Sequence, residues 1–174
     1  MSKKISITVT TAMLAALTCI ATMVIKVPTI GTNGYVNIGD TIVVLSAWLL
    51  GNPYGALAAG IGSGLADLLA GYANYVPGTF IIKFAMAFVC FIVYKAINNT
   101  GLPRFAAFII SGIVAEIIMV VGYFLYEATL LGYGIGAAAS IPSNIVQGVT
   151  CLVLGNLLIN ALSKVGFFRD MMTR

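Results

Sequence analysis

Five ionisable side chains lie within otherwise apolar runs of this sequence, where a charge is costly and usually functional. They are Asp40, Asp67, Lys83, Glu116 and Glu127. Glu116 and Glu127 are 11 positions apart, close to three helical turns, so they share one face of a helix. Asn144 and Gln147 share a face of a later run in the same way. We expect these groups to converge in one polar pocket.

The types of these residues favour binding over catalysis. The sequence has no His, no Ser or Cys nucleophile placed beside a base, and no Gly-rich phosphate loop with a Lys. Its three Cys residues lie apart in apolar runs and are interpreted as small core residues. An enzyme is therefore not predicted, and neither a cofactor nor a metal site is expected. A channel is not favoured either, because no repeated filter motif is present.

The composition indicates an integral membrane protein. Of 174 residues, 60% are hydrophobic and 8% are charged, and the mean hydropathy is +1.06. Soluble domains carry about 25% charged residues. One span needs about 20 apolar residues, so residues 1–174 are predicted to form a single transmembrane domain without a soluble catalytic domain. The net charge is +4, and its basic residues lie at the ends of the spans. We therefore expect the chain to contact membrane lipid and not nucleic acid.

The apolar runs predict an all-α, polytopic bundle of six transmembrane helices. The predicted spans are 5–25, 39–50, 56–70, 79–97, 105–131 and 138–162. Six spans place both termini on one side, together with most basic residues: Lys3, Lys4, Lys95, Arg104, Lys164, Arg169 and Arg174. Only Lys26 and Lys83 lie toward the other side. The positive-inside rule makes the first side cytoplasmic, in a bacterial plasma membrane.

Two outer loops are predicted to roof the pocket. Residues 26–37 contain Pro28, Gly31 and Gly34, too many breaks for a helix, and residues 71–78 form the second loop. Several aromatic residues are candidates to stack on a flat ligand: Tyr35, Tyr72, Tyr75, Tyr126 and Trp48. The predicted substrate-binding residues are Tyr35, Asn37, Asp40, Trp48, Tyr75, Lys83, Glu116, Tyr123, Glu127, Asn144 and Gln147.

Structural interpretations of the same residues stay open. Lys83 and Glu116 would neutralise each other as a structural pair, and Asp40 would serve as a helix N-cap, a position that favours Asp. Asp67 would lie at the water-exposed end of its helix and have no role in ligand binding. Ala12 and Ala16 form a small-xxx-small pair on one helix face. That face would pack inside the chain or dock a separate membrane protein.

Over nearly its whole length, the chain resembles the substrate-binding S component of an energy-coupling factor (ECF) vitamin transporter. The resemblance rests on the size, the six predicted spans and four stretches. These are Ala12-Met-Leu-Ala-Ala16, Tyr35-Val-Asn-Ile-Gly-Asp40, Gly60-Ile-Gly-Ser-Gly-Leu-Ala-Asp67 followed by Gly71-Tyr, and Pro77-Gly-Thr-Phe-Ile-Ile-Lys83. The combination is similar to the subgroup of riboflavin, hydroxymethylpyrimidine and pyridoxine binders.

This resemblance implies a set of partners and a transport cycle. Such proteins bind a vitamin from outside through the first outer loop and spans 4 to 6, and they do not hydrolyse ATP. They dock to a transmembrane T component that sits with two ATPase subunits, and they are thought to topple in the membrane to carry the site inward. The family docks through the small-residue face of span 1, which here implies Ala12, Ala15 and Ala16.

The pocket's polar residue types favour a small heteroaromatic ring. Pyridoxine or hydroxymethylpyrimidine is the preferred substrate, and riboflavin is the alternative for the same kind of subunit. A second alternative is a stand-alone secondary transporter that moves a proton on Glu116 or Glu127. A third is an assembly subunit of the membrane that binds no ligand.

Overall fold

The structure is a computed structural model that describes residues 3–29 and 32–172. The side chains of Lys3, Lys4, Asp170 and Met172 lie outside this description. The predictions that rest on Lys3, Lys4 and Arg174 for topology, and on Gly31 for the loop, therefore concern residues outside the described side chains.

The described chain is mainly helical, with one small sheet. Its elements are α1 (Lys3–Val24), β1 (Lys26–Pro28), β2 (Tyr35–Asn37), α2 (Asp40–Leu50), α3 (Tyr54–Leu69), α4 (Val76–Asn98), α5 (Arg104–Leu125), a π-helical turn (Tyr126–Leu130), a 3-10 helix (Gly134–Ser140), α6 (Ile141–Leu162) and α7 (Gly166–Met172). Helices α1 to α6 begin and end within a few residues of the predicted runs. The sheet and α7 were not predicted.

Among residues 3–29 and 32–172, four helical segments are long and apolar enough to cross a membrane. They are Ile5–Val24, Val76–Asn98, Arg104–Leu130 and Gly134–Leu162. Helices α2 and α3 have 11 and 16 residues, which is short of the ~20 that a full crossing needs. Length and composition therefore support four of the six predicted spans.

Helix α2 is the centre of the bundle. Ten of its 11 residues are buried, and it packs against α1, α3, α4 and α6. A helix that is apolar on every side is one enclosed by protein, so α2 does not have to match the thickness of the lipid. Trp48 near its end is 1% exposed, and its indole N–H donates to Ser111 Oγ at 3.0 Å.

The outer helices present apolar side chains on their exposed faces. Met13 of α1, Ile117 of α5 and Val146 of α6 are each more than half exposed. In water these side chains would form unfavourable patches, whereas hydrocarbon tails solvate them. The exposed surface thus has the chemistry of a lipid-facing surface.

The residues after α1 form a β-hairpin where the sequence predicted only a broken loop. Strands β1 and β2 pair antiparallel, with Val27 opposite Val36, and Thr29 N donates to Gly34 O at 3.1 Å across the turn. This backbone pairing fixes the direction of Tyr35 and Asn37 on β2. We call this end of the bundle the hairpin end; it also holds the loop between α3 and α4 and the 3-10 helix.

Close packing of α1 on α3 leads to a test of stability. A Cβ on Gly62 would collide with the Ala15 backbone carbonyl oxygen, whereas one on Gly64 would have its nearest neighbour at 3.7 Å. Overpacking costs about 1–3 kcal/mol, and alanine gains up to about 1 kcal/mol in helices. We expect Gly62→Ala to lower the melting temperature of the purified protein and Gly64→Ala to hold or raise it. Equal melting temperatures would contradict this packing.

Candidate ligand-binding site

A small polar cavity lies at the hairpin end. Its lining comes from the hairpin, α3, α4, α5, the π-helical turn and α6: Thr29, Gly34, Tyr35, Asn37, Asp67, Tyr75, Thr79, Tyr123, Glu127, Asn144 and Gln147. The cavity measures about 20 Å³, which is room for about one water molecule. Pockets for drug-sized ligands occupy roughly 300–1,000 Å³, so a vitamin enters only if the lining residues separate.

A buried ion pair forms the floor of this cavity. The Lys83 ammonium donates to Asp40 Oδ1, and the two side chains are 3% and 0% exposed. Gln147 Nε2 donates to Asp40 Oδ2 at 2.5 Å. The Gln147 carbonyl oxygen in turn accepts from the backbone N–H of Asn37 at 2.6 Å. These bonds join α2, α4, α6 and β2 in one network.

Two structural interpretations of these residues prove wrong. The N-cap of α2 is Gly39, and Asp40 is the first helical residue, so its carboxylate is directed to other helices. The Gly39 N–H is instead accepted by Asn37 Oδ1 at 2.7 Å. Lys83 pairs with Asp40 and not with Glu116. The Lys83 ammonium also lies 5.1 Å from the centre of the Tyr123 ring, a cation–π distance.

Tyrosine–carboxylate hydrogen bonds form the walls. Tyr35 Oη donates to Asp67 Oδ1 at 2.6 Å, and Tyr75 Oη donates to Glu127 Oε1 at 3.0 Å. Ser140 Oγ donates to Glu127 Oε2 at 2.7 Å. Burial first, and then the neighbouring carboxylate charge, raises the pKa of Tyr35 and of Tyr75 above the usual value. Both phenols therefore remain protonated donors at physiological pH.

A chain of aromatic rings covers the cavity. The Tyr35 and Tyr72 ring centres are 4.8 Å apart, those of Tyr72 and Tyr75 are 6.3 Å apart, and those of Tyr75 and Tyr126 are 6.2 Å apart. These separations are typical of interacting rings. Tyr35 comes from the hairpin, and Tyr72 and Tyr75 come from the loop between α3 and α4, whereas Tyr126 belongs to the π-helical turn and not to either predicted loop. Tyr126 anchors this chain of rings by donating to the backbone oxygen of Asn74 at 2.6 Å.

The side chain of Asn144 is a free polar group of the lining. It is 6% exposed, it lines the cavity, and it makes no hydrogen bond to any residue that the structure describes. Its donor and acceptor are thus available to a ligand.

Four predicted site residues do not line the cavity: Trp48, Glu116, Asp40 and Lys83. Trp48 packs on Phe108, with ring centres 5.0 Å apart, inside the hydrophobic core. Glu116 is 6% exposed, and both of its oxygens lack a partner among residues 3–29 and 32–172. It packs against α6, where a Cβ on Gly148 would lie 3.2 Å from Glu116 Oε2. Asp40 and Lys83 lie beneath the lining as its floor.

The predicted list of substrate-binding residues does not contain Thr29, Gly34 or Thr79. It also omits Asp67, although Asp67 is one of the ionisable groups that the sequence predicts to converge in the pocket. Asp67 had a usable signal, because it is a carboxylate within an apolar run, but access to water was an equally simple explanation. It is only 5% exposed. Gly34 had no signal, since its role depends on the hairpin: a Cβ there would lie 3.3 Å from Glu127 Oε1.

The predicted docking residues divide between two faces of α1. Ala12 and Ala16 are exposed. Ala15 is partly buried, and its carbonyl oxygen lies against Gly62 of α3. Within the described chain, Ala15 therefore contributes to internal packing, and the pair Ala12 and Ala16 is left available on the surface.

Comparison with known proteins identifies the family. The family model of the "ECF-type riboflavin transporter, S component" matches residues 2–164. The chain belongs to this family of ECF S components. Membership makes it a multi-pass protein of the cell membrane and a transport subunit for vitamin uptake, in a family of transporter components rather than enzymes.

Individual relatives extend the comparison. An "uncharacterized protein in gap 3′ region" of Pyrococcus woesei is 32% identical over 83% of this chain and 93% of that protein. The "thiamine precursor transporter HmpT" of Lactococcus lactis subsp. cremoris (strain MG1363) is 28% identical over 73% of this chain and 69% of that protein. Both similarities cover most of the S component.

Two solved ECF structures share the fold. One, described as "the S component of a bacterial ECF transporter", has a TM-score of 0.68 at 21% identity and covers 93% of this chain and 98% of its own. The "S-component for biotin from an ECF-type ABC transporter" has a TM-score of 0.67 at 19% identity, with 99% of each chain covered. The helical architecture of this S component is therefore that of solved ECF S components.

The buried ion pair predicts a non-additive effect on stability. Removing one partner of a buried pair costs about 3–5 kcal/mol, because it leaves the other charge uncompensated. We expect Lys83→Met alone to lower unfolding stability by an amount of that order. The double variant Lys83→Met with Asp40→Asn should recover part of the loss, since it leaves no lone buried charge. Thermal unfolding of the three proteins in detergent measures this, and additive losses would contradict it.

Proposed function

We propose that this S component captures a small, polar heteroaromatic vitamin or vitamin precursor at the hairpin end and delivers it to an ATP-driven ECF importer. Pyridoxine and hydroxymethylpyrimidine are the preferred ligands. The observation that supports the proposal is the small polar cavity, in which the Asn144 amide has no hydrogen-bond partner in the described chain and lies beside polar groups from six elements.

The lining suits a ring with several polar substituents. Carboxylates, amides and phenols surround the cavity, and the tyrosine rings of its roof offer faces on which a flat ligand can stack. A pyridine or pyrimidine with hydroxyl, amino or hydroxymethyl groups uses both features. The relative from Lactococcus lactis, a thiamine precursor transporter, supports a pyrimidine in particular.

Riboflavin is the second candidate, and the name of the matching family model favours it. Its isoalloxazine is larger and less polar than either single ring. Starting from a cavity of about 20 Å³, a three-ring system requires a wider separation of the hairpin from α6 than a single ring does. The small-ring ligands therefore fit with less rearrangement.

We further propose six spans, with α2 and α3 completing the set, and both termini in the cytoplasm. The described basic residues support this orientation: Lys95, Arg104, Lys164 and Arg169 lie at the end opposite the hairpin. The positive-inside rule assigns that end to the cytoplasm. The cavity then opens to the outside, where the nutrient is.

The proposed partners are a transmembrane T component and two ATPase subunits. Ala12 and Ala16 are small, exposed and one turn apart on α1, so another helix can approach their backbone closely. The chain's share of the transport cycle is then to bind the vitamin and to dock.

Ligand binding gives the first test. We expect thermal shift and tritiated-vitamin binding on the purified protein to detect pyridoxine or hydroxymethylpyrimidine, and Asn144→Leu to weaken that binding by about tenfold or more, because up to two hydrogen bonds are lost. Asn160→Leu, at an exposed amide on the same helix, is the matched control. Retention of riboflavin alone would overturn the preference for a small ring. Uptake by the chain alone, driven by a pH gradient in liposomes, would support a secondary transporter instead.

Docking gives a separate test. Ala12→Leu and Ala16→Leu should weaken co-purification with the T component and its ATPases while vitamin affinity changes less than about twofold, because both alanines are far from the cavity. Ala96→Leu, at an exposed alanine of α4, is the control for added bulk on the membrane surface. Loss of vitamin binding in parallel with docking would assign this face to internal packing.

A further inference from the structure

We infer that the site selects an uncharged or cationic ligand that brings hydrogen-bond donors, and that it rejects the phosphate ester of the same vitamin. The inference deepens the proposed function and rests on it. It follows from two features: the balance of buried charge around the cavity and the hydrogen-bonding capacity that the protein leaves unfilled.

The buried ionisable groups around the site are predominantly acidic. The buried ionisable side chains of the described chain comprise four carboxyl groups and one ammonium group: Asp40, Asp67, Glu116, Glu127 and Lys83. Lys83 is already paired with Asp40. Asp67 and Glu127 in the lining face Tyr35, Tyr75 and Ser140, which are neutral donors. The lining therefore has no uncommitted cation among its described members.

The unfilled capacity is mostly that of acceptors. A carboxylate has about four lone-pair sites, and the hydrogen bonds of Asp67 and Glu127 to these neutral donors leave some of them open. Asn144 adds one amide oxygen and the free N–H donors of its amide. Amino, hydroxyl and protonated ring-nitrogen groups complement this set.

An anionic group on the ligand is repelled by the same acidic side chains. A unit negative charge about 7 Å from one unpaired carboxylate, at an effective dielectric constant of about 20, is disfavoured by more than about tenfold in affinity. Lys26 is the nearest described cation at the mouth, 5.7 Å from the centre of the Tyr35 ring. It is exposed, so water and salt screen its charge. Its charge therefore offsets the carboxylates of the cavity only weakly.

Three matched ligand pairs test the inference. Calorimetric titration of the full-length protein in detergent would compare hydroxymethylpyrimidine, pyridoxine and riboflavin, each with its own phosphate ester. For each vitamin that binds, we expect its affinity to exceed that of its phosphate ester by at least about tenfold. Equal affinity within a pair would overturn this inference and leave vitamin binding intact. Absence of binding by all three free vitamins would instead overturn the proposed function.

A charge variant locates the discrimination. Glu127→Gln should lower the ratio of vitamin affinity to ester affinity several-fold. Asp67→Asn serves the same purpose if the first variant does not fold. Asn99→Lys makes the same change in net charge at an exposed position at the opposite end, and it should leave the ratio unchanged. If Asn99→Lys lowered this affinity ratio equally, the assignment of the phosphate discrimination to the cavity would be overturned.

Discussion

The structure depends on one requirement: a charge inside an apolar bundle has to be paired. Lys83 and Asp40 meet it together, and Gln147 completes the carboxylate's hydrogen bonds. Because Gln147 also accepts the backbone N–H of Asn37, the pair fixes the hairpin to the bundle. The neutralisation of one buried lysine thereby determines where the roof of the cavity lies.

Helix α2 makes this arrangement possible. It is surrounded by other helices, so its first residue, Asp40, is completely buried although it begins a helix. A carboxylate in that position interacts favourably with the helix dipole as well as with Lys83. The same enclosure explains why a helix of 11 residues belongs to a membrane protein: protein, and not lipid, solvates its sides.

The sequence predicted the helices and most of the cavity lining, but not the pairing within it. Apolar runs and glycine or proline breaks located α1 to α6, and the rarity of polar residues in those runs identified Asn144, Gln147 and Glu127. Helical periodicity could not show that Lys83 selects Asp40 over Glu116, since that choice depends on how α2, α4 and α5 cross. The sequence also placed Trp48 in the ligand site, because an aromatic side chain fits a core and a ligand site equally well.

The closed state carries an energetic consequence for binding. Gln147 and Asn37 satisfy each other, as do Tyr35 and Asp67, so the protein's own groups occupy the positions from which a ligand would be held. A ligand gains only the difference between its hydrogen bonds and those that it displaces. Asn144 is different, because its amide gives up no partner. In the proposed binding mode, the free energy of recognition would therefore depend strongly on Asn144, and the paired residues would determine how readily the hairpin separates from α3 and α6.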